Sequence, residues 1–316
     1  MPDRIPLAPI SKVFLGIVFA ETLVVVVFSF FILQKHVPTS TVAFVLLLIM
    51  TTVYLCYFAV DAVLWGNTYQ LFAFVIMSVL LTIRVAWDFA IGQANNVTLG
   101  VVLVPLIITG LCQVAFLFLS YFVYQTFRWV MFKQVGTSPT LIQKYKWYQF
   151  FVSVLHVDVQ FVITMTILAW FFVAYSYALA IIIPCACISI VLAALVVELG
   201  VRRESNRWTL AFSAFSLFAP VYVIYKTVGI MKDEKLLRDV AGESTTETKN
   251  LLITTAILFL ICRIILYFAL VVVWRNFGKS LKESYFDKHR TKFSRLLDKC
   301  CRRHDITDDE TTLATA

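Results

Sequence analysis

From Leu251 to Trp274 the chain reads LLITTAILFLICRIILYFALVVVW, an apolar run whose one charge is Arg263. A helix needs roughly 20 apolar residues to cross ~30 Å of hydrocarbon, so this run is long enough to span a bilayer. Seven further runs have the same character: Val13–Leu33, Thr41–Leu64, Tyr69–Ile91, Leu99–Phe127, Tyr148–Val173, Tyr177–Leu199 and Trp208–Gly229. Together they predict an all-α polytopic transmembrane bundle of eight spans, with seven as the alternative if one weak span is re-entrant or interfacial. Composition agrees. With 60% hydrophobic residues, 15% charged and a mean hydropathy of +0.85, the chain has more apolar surface than a water-soluble domain can hide.

Charge placement predicts orientation, because Lys and Arg in short loops stay on the cytoplasmic side. After span four come Arg128, Lys133, Lys144 and Lys146 without an acid; after span six come Arg202, Arg203 and Arg207; after span eight the chain is basic from Arg275 to Arg303. Eight spans put all three groups on one side and make both termini cytoplasmic. The net charge of +8 is therefore an orientation signal, and no nucleic-acid partner is expected. The mixed-charge loop Lys232–Lys249 falls on the lumenal side, as does the sequon Asn96-Val97-Thr98, which lies too near span four to be modified. The first apolar run is long and lacks a small-residue cleavage site, so it is expected to stay as a signal-anchor. Span four is expected to run on past the bilayer through Val130. Pro105, Pro184 and Pro220 fall inside spans and are expected to kink them.

Three regions follow: a transmembrane bundle over 1–278, a basic amphipathic juxtamembrane segment over 279–304, and an acidic disordered tail over 305–316. The second carries Tyr285, Phe286, Phe293, Leu296 and Leu297 on roughly one helical face. Attraction to anionic lipid is worth about 1 kcal/mol per nearby Lys or Arg, so it is expected to lie on the cytoplasmic surface. Cys300 and Cys301 beside it are palmitoylation candidates. The bilayer is the expected partner; protein partners are not legible.

Ionisable groups at membrane depth are the sharpest signals, since one at a helix centre costs ~2.5–3.5 kcal/mol even on lenient scales. Glu21, Arg84, Asp88, His156, Asp158 and Arg263 qualify. Arg263 could pair with either Asp158 or Glu21. Arg84 and Asp88, four apart, could pair on one helix. Asp61, near the end of span two, is expected at the interface. His156 and Asp158 are two apart and face different ways; the intramembrane charges serve either a polar site or proton relay inside the bundle or, as the favoured reading, the locking of helix register. No H-E-x-x-H, G-x-S-x-G or phosphate-cradling glycine loop occurs, and of four histidines only His156 is at membrane depth. No enzyme, metal or cofactor is expected. Cys56, Cys112, Cys185, Cys187 and Cys262 sit within apolar segments and read as packing.

Three juxtamembrane stretches, Tyr145-Lys-Trp-Tyr-Gln-Phe-Phe151 leading to Asp158, Gly200-Val-Arg-Arg-Glu-Ser-Asn206, and Arg275-Asn-Phe-Gly-Lys-Ser-Leu-Lys282, together resemble a fungal family of uncharacterised multi-pass Golgi apparatus membrane proteins. The likeness runs best from about Gly136 to Lys282. It implies an endomembrane compartment and an architecture without a reaction. His156-Val157 before Asp158 departs from the Lys and bulky aromatics of that family's pattern. The expected function is a non-enzymatic structural or trafficking role. The alternatives are a transporter or channel using Glu21, Asp158 and Arg263, and a seven-span receptor-like protein.

Overall fold

The structure, a computed structural model, describes residues 8–34, 39–94, 99–135, 138–172, 176–232 and 245–278. Every regular element among them is helical: α1 Pro9–Leu33, α2 Thr39–Trp65, α3 Thr68–Ala94, α4 Leu99–Val135, α5 Pro139–Phe172, α6 Ser176–Leu195 continued by a π-helical turn Val196–Val201, α7 Asn206–Ser216, α8 Phe218–Lys232 and α9 Thr245–Trp274. Apolar side chains all round leave the backbone no water to bond, and a helix is the local way to satisfy every N–H and C=O. Eight segments are long and apolar enough to cross a membrane, α7 and α8 counting as one. The chain is a multi-pass membrane protein. The regions 279–304 and 305–316, with Cys300 and Cys301, and the sequon at Asn96 lie outside the described residues, as does most of Lys232–Lys249.

The connections show why the spans end where they do. Gly66 takes φ +61° after Trp65, and the N–H of Asn67 reaches back to the Ala62 carbonyl at 3.0 Å, closing α2 with a Schellman turn. The same Asn67 opens α3: its Oδ1 accepts from the N–H of Tyr69 at 3.0 Å and of Gln70 at 3.3 Å. Two helices thus turn over in two residues. Helix α4 runs beyond the expected Val130 to Val135, and its 37 residues make it about 55 Å long. Helix α5 begins at Pro139, well before the expected Tyr148, and both project past the hydrocarbon on the side where α1 starts. Pro184 stays within α6 and Pro105 within α4. Pro220 does more than kink: span seven breaks at Leu217 into α7 and α8, since proline has no N–H to offer the Ser216 carbonyl.

Two half-bundles result. Helices α1 to α4 close on one another around Phe58 and the trio Phe14, Phe74 and Phe116, whose rings meet edge-on at 5.1–6.1 Å between centroids. Helices α5 to α9 surround a second core of Tyr148, Phe151, Leu155, Phe212 and Leu266. Helix α5 joins them, packing on α2, α3 and α4 with one side and on α6 and α9 with the other.

Candidate functional site: the polar seam of α5 and the face below it

The seam grows from the periodicity of α5. Gln149, Ser153, His156 and Gln160 recur at helical spacing and share one face, while Asp158 points with Phe151, Leu155 and Val162 toward α9. On the α9 side, Arg263 Nε lies 2.7 Å from Asp158 Oδ1, with side-chain exposures of 3% and 4%. The contact is ionic; its angle falls outside hydrogen-bond geometry. The guanidinium also lies 5.1 Å from the Phe259 ring centre and donates to Tyr267, whose hydroxyl is 2.6 Å from Ser216 Oγ at the end of α7. Cys262, next to Arg263, points its thiol at the Val154 carbonyl, 3.9 Å away. The pair therefore ties α5 to α9 at mid-depth. Of the two pairings open to Arg263, the structure makes the one with Asp158.

On the other side, His156 bridges the half-bundles. Its Nδ1 is 3.4 Å from Gln70 Oε1 and 3.8 Å from Asp61 Oδ2, and its Nε2 is 3.3 Å from the Tyr57 hydroxyl. Tyr54 donates to the His156 carbonyl at 3.2 Å. Nearer the membrane face, Asn67 Nδ2 donates to Ser153 Oγ at 3.1 Å. Asp61 is less peripheral than its place near the end of α2 suggests: it is largely enclosed and faces α5. Tyr54, Tyr57 and Asp61 recur at i, i+3, i+7, a polar face that periodicity could have flagged. Gln113 and Gln160, uncharged and so not singled out by the cost of burying an ion, are buried with Nε2 and Oε1 respectively left without a hydrogen bond.

The remaining intramembrane candidates sit elsewhere. Glu21 is buried at the midpoint of α1 against α4, beside Cys112, so it does not join Asp158 and Arg263. Arg84 holds its guanidinium 4.9 Å over the Phe44 ring, joining α3 to α2, and the side chain of its expected partner Asp88 lies outside the described residues.

Where α5, α6 and α9 reach the side on which α1 starts, the first two juxtamembrane stretches meet the described part of the third, Arg275 to Gly278. Arg202 Nη1 lies 2.7 Å from Glu198 Oε1, and its Nε donates to the Tyr148 hydroxyl at 3.2 Å. Burial works against the Arg202 charge, but Tyr148 and Glu198 outweigh it and raise its affinity for the proton. Glu204, at φ +54°, accepts from the Gly278 N–H at 2.7 Å, and Trp274 Nε1 donates to Asn206 Oδ1 at 2.9 Å. Between them Lys144, Tyr148, Glu204, Asn276 and Phe277 enclose a pocket of about 10 Å³, the space of one water molecule. Arg128, Lys146 and Arg207 stand exposed around this face, with Lys144 and Arg203 half-buried; the Lys133 side chain is outside the described residues. Among the described residues no three His, Cys, Asp or Glu side chains gather as a metal site would require.

Residues 135–275 match the profile of a family described as a domain of unknown function, DUF7789. The match covers just under half of the chain and starts and stops at the α5–α9 half-bundle, the region to which the sequence resemblance also pointed. No curated protein and no solved structure matches the chain.

Proposed function

We propose that the protein is a non-enzymatic resident of the Golgi or a related endomembrane, with both termini cytoplasmic and a structural or trafficking role exercised through its basic face. The observation that carries this reading is the convergence of three sequence-distant stretches on one rigid surface. Tyr148–Arg202–Glu198 and Glu204–Gly278 hold the ends of α5, α6 and α9 together, and cations rim the result. Helix ends tied by these contacts present the exposed Lys and Arg from one face, which suits recognition of an acidic surface. The Golgi assignment rests on the sequence resemblance.

The test is the location of the tagged full-length protein beside a triple variant, Arg128→Glu, Lys146→Glu and Arg207→Glu. These side chains are exposed, so the variant should keep its size-exclusion profile and its helical content. Golgi residence of the parent and dispersal of the variant are expected. Residence of the parent at the plasma membrane, or unchanged location of the variant, would contradict the proposal. The transporter reading requires Glu21, Asp158 and Arg263 along one path. Glu21 lies between α1 and α4 while the ion pair lies between α5 and α9, so that reading needs the half-bundles to rearrange.

A further inference from the structure

We infer that the first half-bundle holds a proton-binding site centred on Glu21, separate from the α5 seam. Glu21 is 8% exposed at mid-depth, on the α1 face formed by Phe14, Val18 and Val25. Among the described residues no cation and no hydrogen-bond donor meets its carboxyl group. The groups around it are themselves neutral. The Phe14–Phe116 contact, 6.1 Å between ring centres, sets α1 and α4 side by side in opposite directions, and Cys112 is the titratable side chain that α4 brings to Glu21. From α2 comes Cys56, which shares a hydrogen bond with the adjacent Thr22. Asp61 and Tyr54 of α2 face α5 instead, and on α1 itself Lys12 is two and a half turns away toward the membrane face.

A second buried polar group, on α4, also lacks a partner. Gln113, next to Cys112 on α4, is 9% exposed and its Nε2 makes no hydrogen bond. An isolated carboxylate at this depth would cost several kcal/mol, whereas binding one proton removes the charge and leaves only polar groups to satisfy. The acid of the seam differs in kind: Asp158 has Arg263 at 2.7 Å to balance it.

Dicyclohexylcarbodiimide, a hydrophobic reagent that enters bilayers, distinguishes the two. The O–H of a protonated carboxyl adds across one C=N bond. The proton goes to nitrogen and the carboxyl oxygen to the central carbon, and the acyl group then shifts from oxygen to nitrogen as a stable N-acylurea with nothing expelled. In membranes carrying the full chain, mass spectrometry should find this adduct on Glu21 at acid pH, lost as pH rises, and absent from Asp158. Infrared spectroscopy reads the same proton without needing reagent access: the difference between the parent and Glu21→Gln, which keeps the shape of the acid, should contain a protonated-carboxyl band at acid pH that disappears on alkalinisation. A parent-minus-Glu21→Gln difference without that band at every pH would overturn the inference, as would carbodiimide labelling independent of pH.

Discussion

Asp158 and Arg263 are worth more as a pair than either is as a charge. Removing one partner leaves the other buried and uncompensated, a loss of about 3–5 kcal/mol for enclosed ion pairs. Asp158→Asn or Arg263→Met alone should therefore lower thermal stability in detergent sharply, measured by size-exclusion after heating. Reversing both charges together, Asp158→Arg with Arg263→Asp, should recover much of it. A double variant no better than the singles would mean the two residues act independently. How much of this was legible varies by residue. A lone Arg in an apolar run needs an acid, so the pair was foreseeable as one of two choices; which acid was not, because it depends on α9 packing against α5 rather than α1. His156 was legible as unusual, yet its neighbours Tyr57, Asp61 and Gln70 come from two other helices and no local signal in the sequence joins them.

Elements were legible where they obey one period and opaque where they depart from it. Hydropathy located all eight spans, but the π-helical turn at Val196–Val201 looks in sequence like the end of any apolar helix. The packing inside that turn is tight at Gly200. A Cβ on Gly200 would stand 3.1 Å from Thr209 Oγ1 and 3.1 Å from Val196 Cγ2, closer than side chains normally approach. Thr209 cannot turn aside cheaply, because its hydroxyl donates to the Ser205 carbonyl at 3.1 Å, and Val196 is buried and β-branched. Gly200→Ala should therefore cost about 1–3 kcal/mol through overpacking. The heated-sample assay that reports on the ion pair should show it, and a variant as stable as the parent would mean that α6 and α7 have slack where the structure shows none. Pro220 illustrates the opposite limit. Its presence within a span was plain, but whether a membrane proline kinks or breaks depends on what takes up the freed carbonyl and on neighbouring helices.

At the scale of the molecule, one fact organises the rest: consecutive spans reverse direction, so Ser138, Arg207 and Arg275 share a side and Gln34 lies opposite. The polar seam, the three converging stretches and the basic face all presuppose this parity. Composition and spacing could predict it, but the division into half-bundles joined by α5 could not be read there, because it depends on which apolar faces meet and lipid-facing and core-facing residues are equally apolar here. The most direct test is single-cysteine labelling with a membrane-impermeant maleimide in sealed vesicles of a cysteine-free background, at Gln34→Cys, Ser138→Cys, Arg207→Cys and Arg275→Cys. The eight-span bundle predicts that the last three label alike and Gln34→Cys oppositely; in vesicles with the face expected to be cytoplasmic outward, the three label when sealed and Gln34→Cys only after permeabilisation. Opposite behaviour of any two among Ser138→Cys, Arg207→Cys and Arg275→Cys would show that a segment does not cross, and would contradict the eight-span bundle.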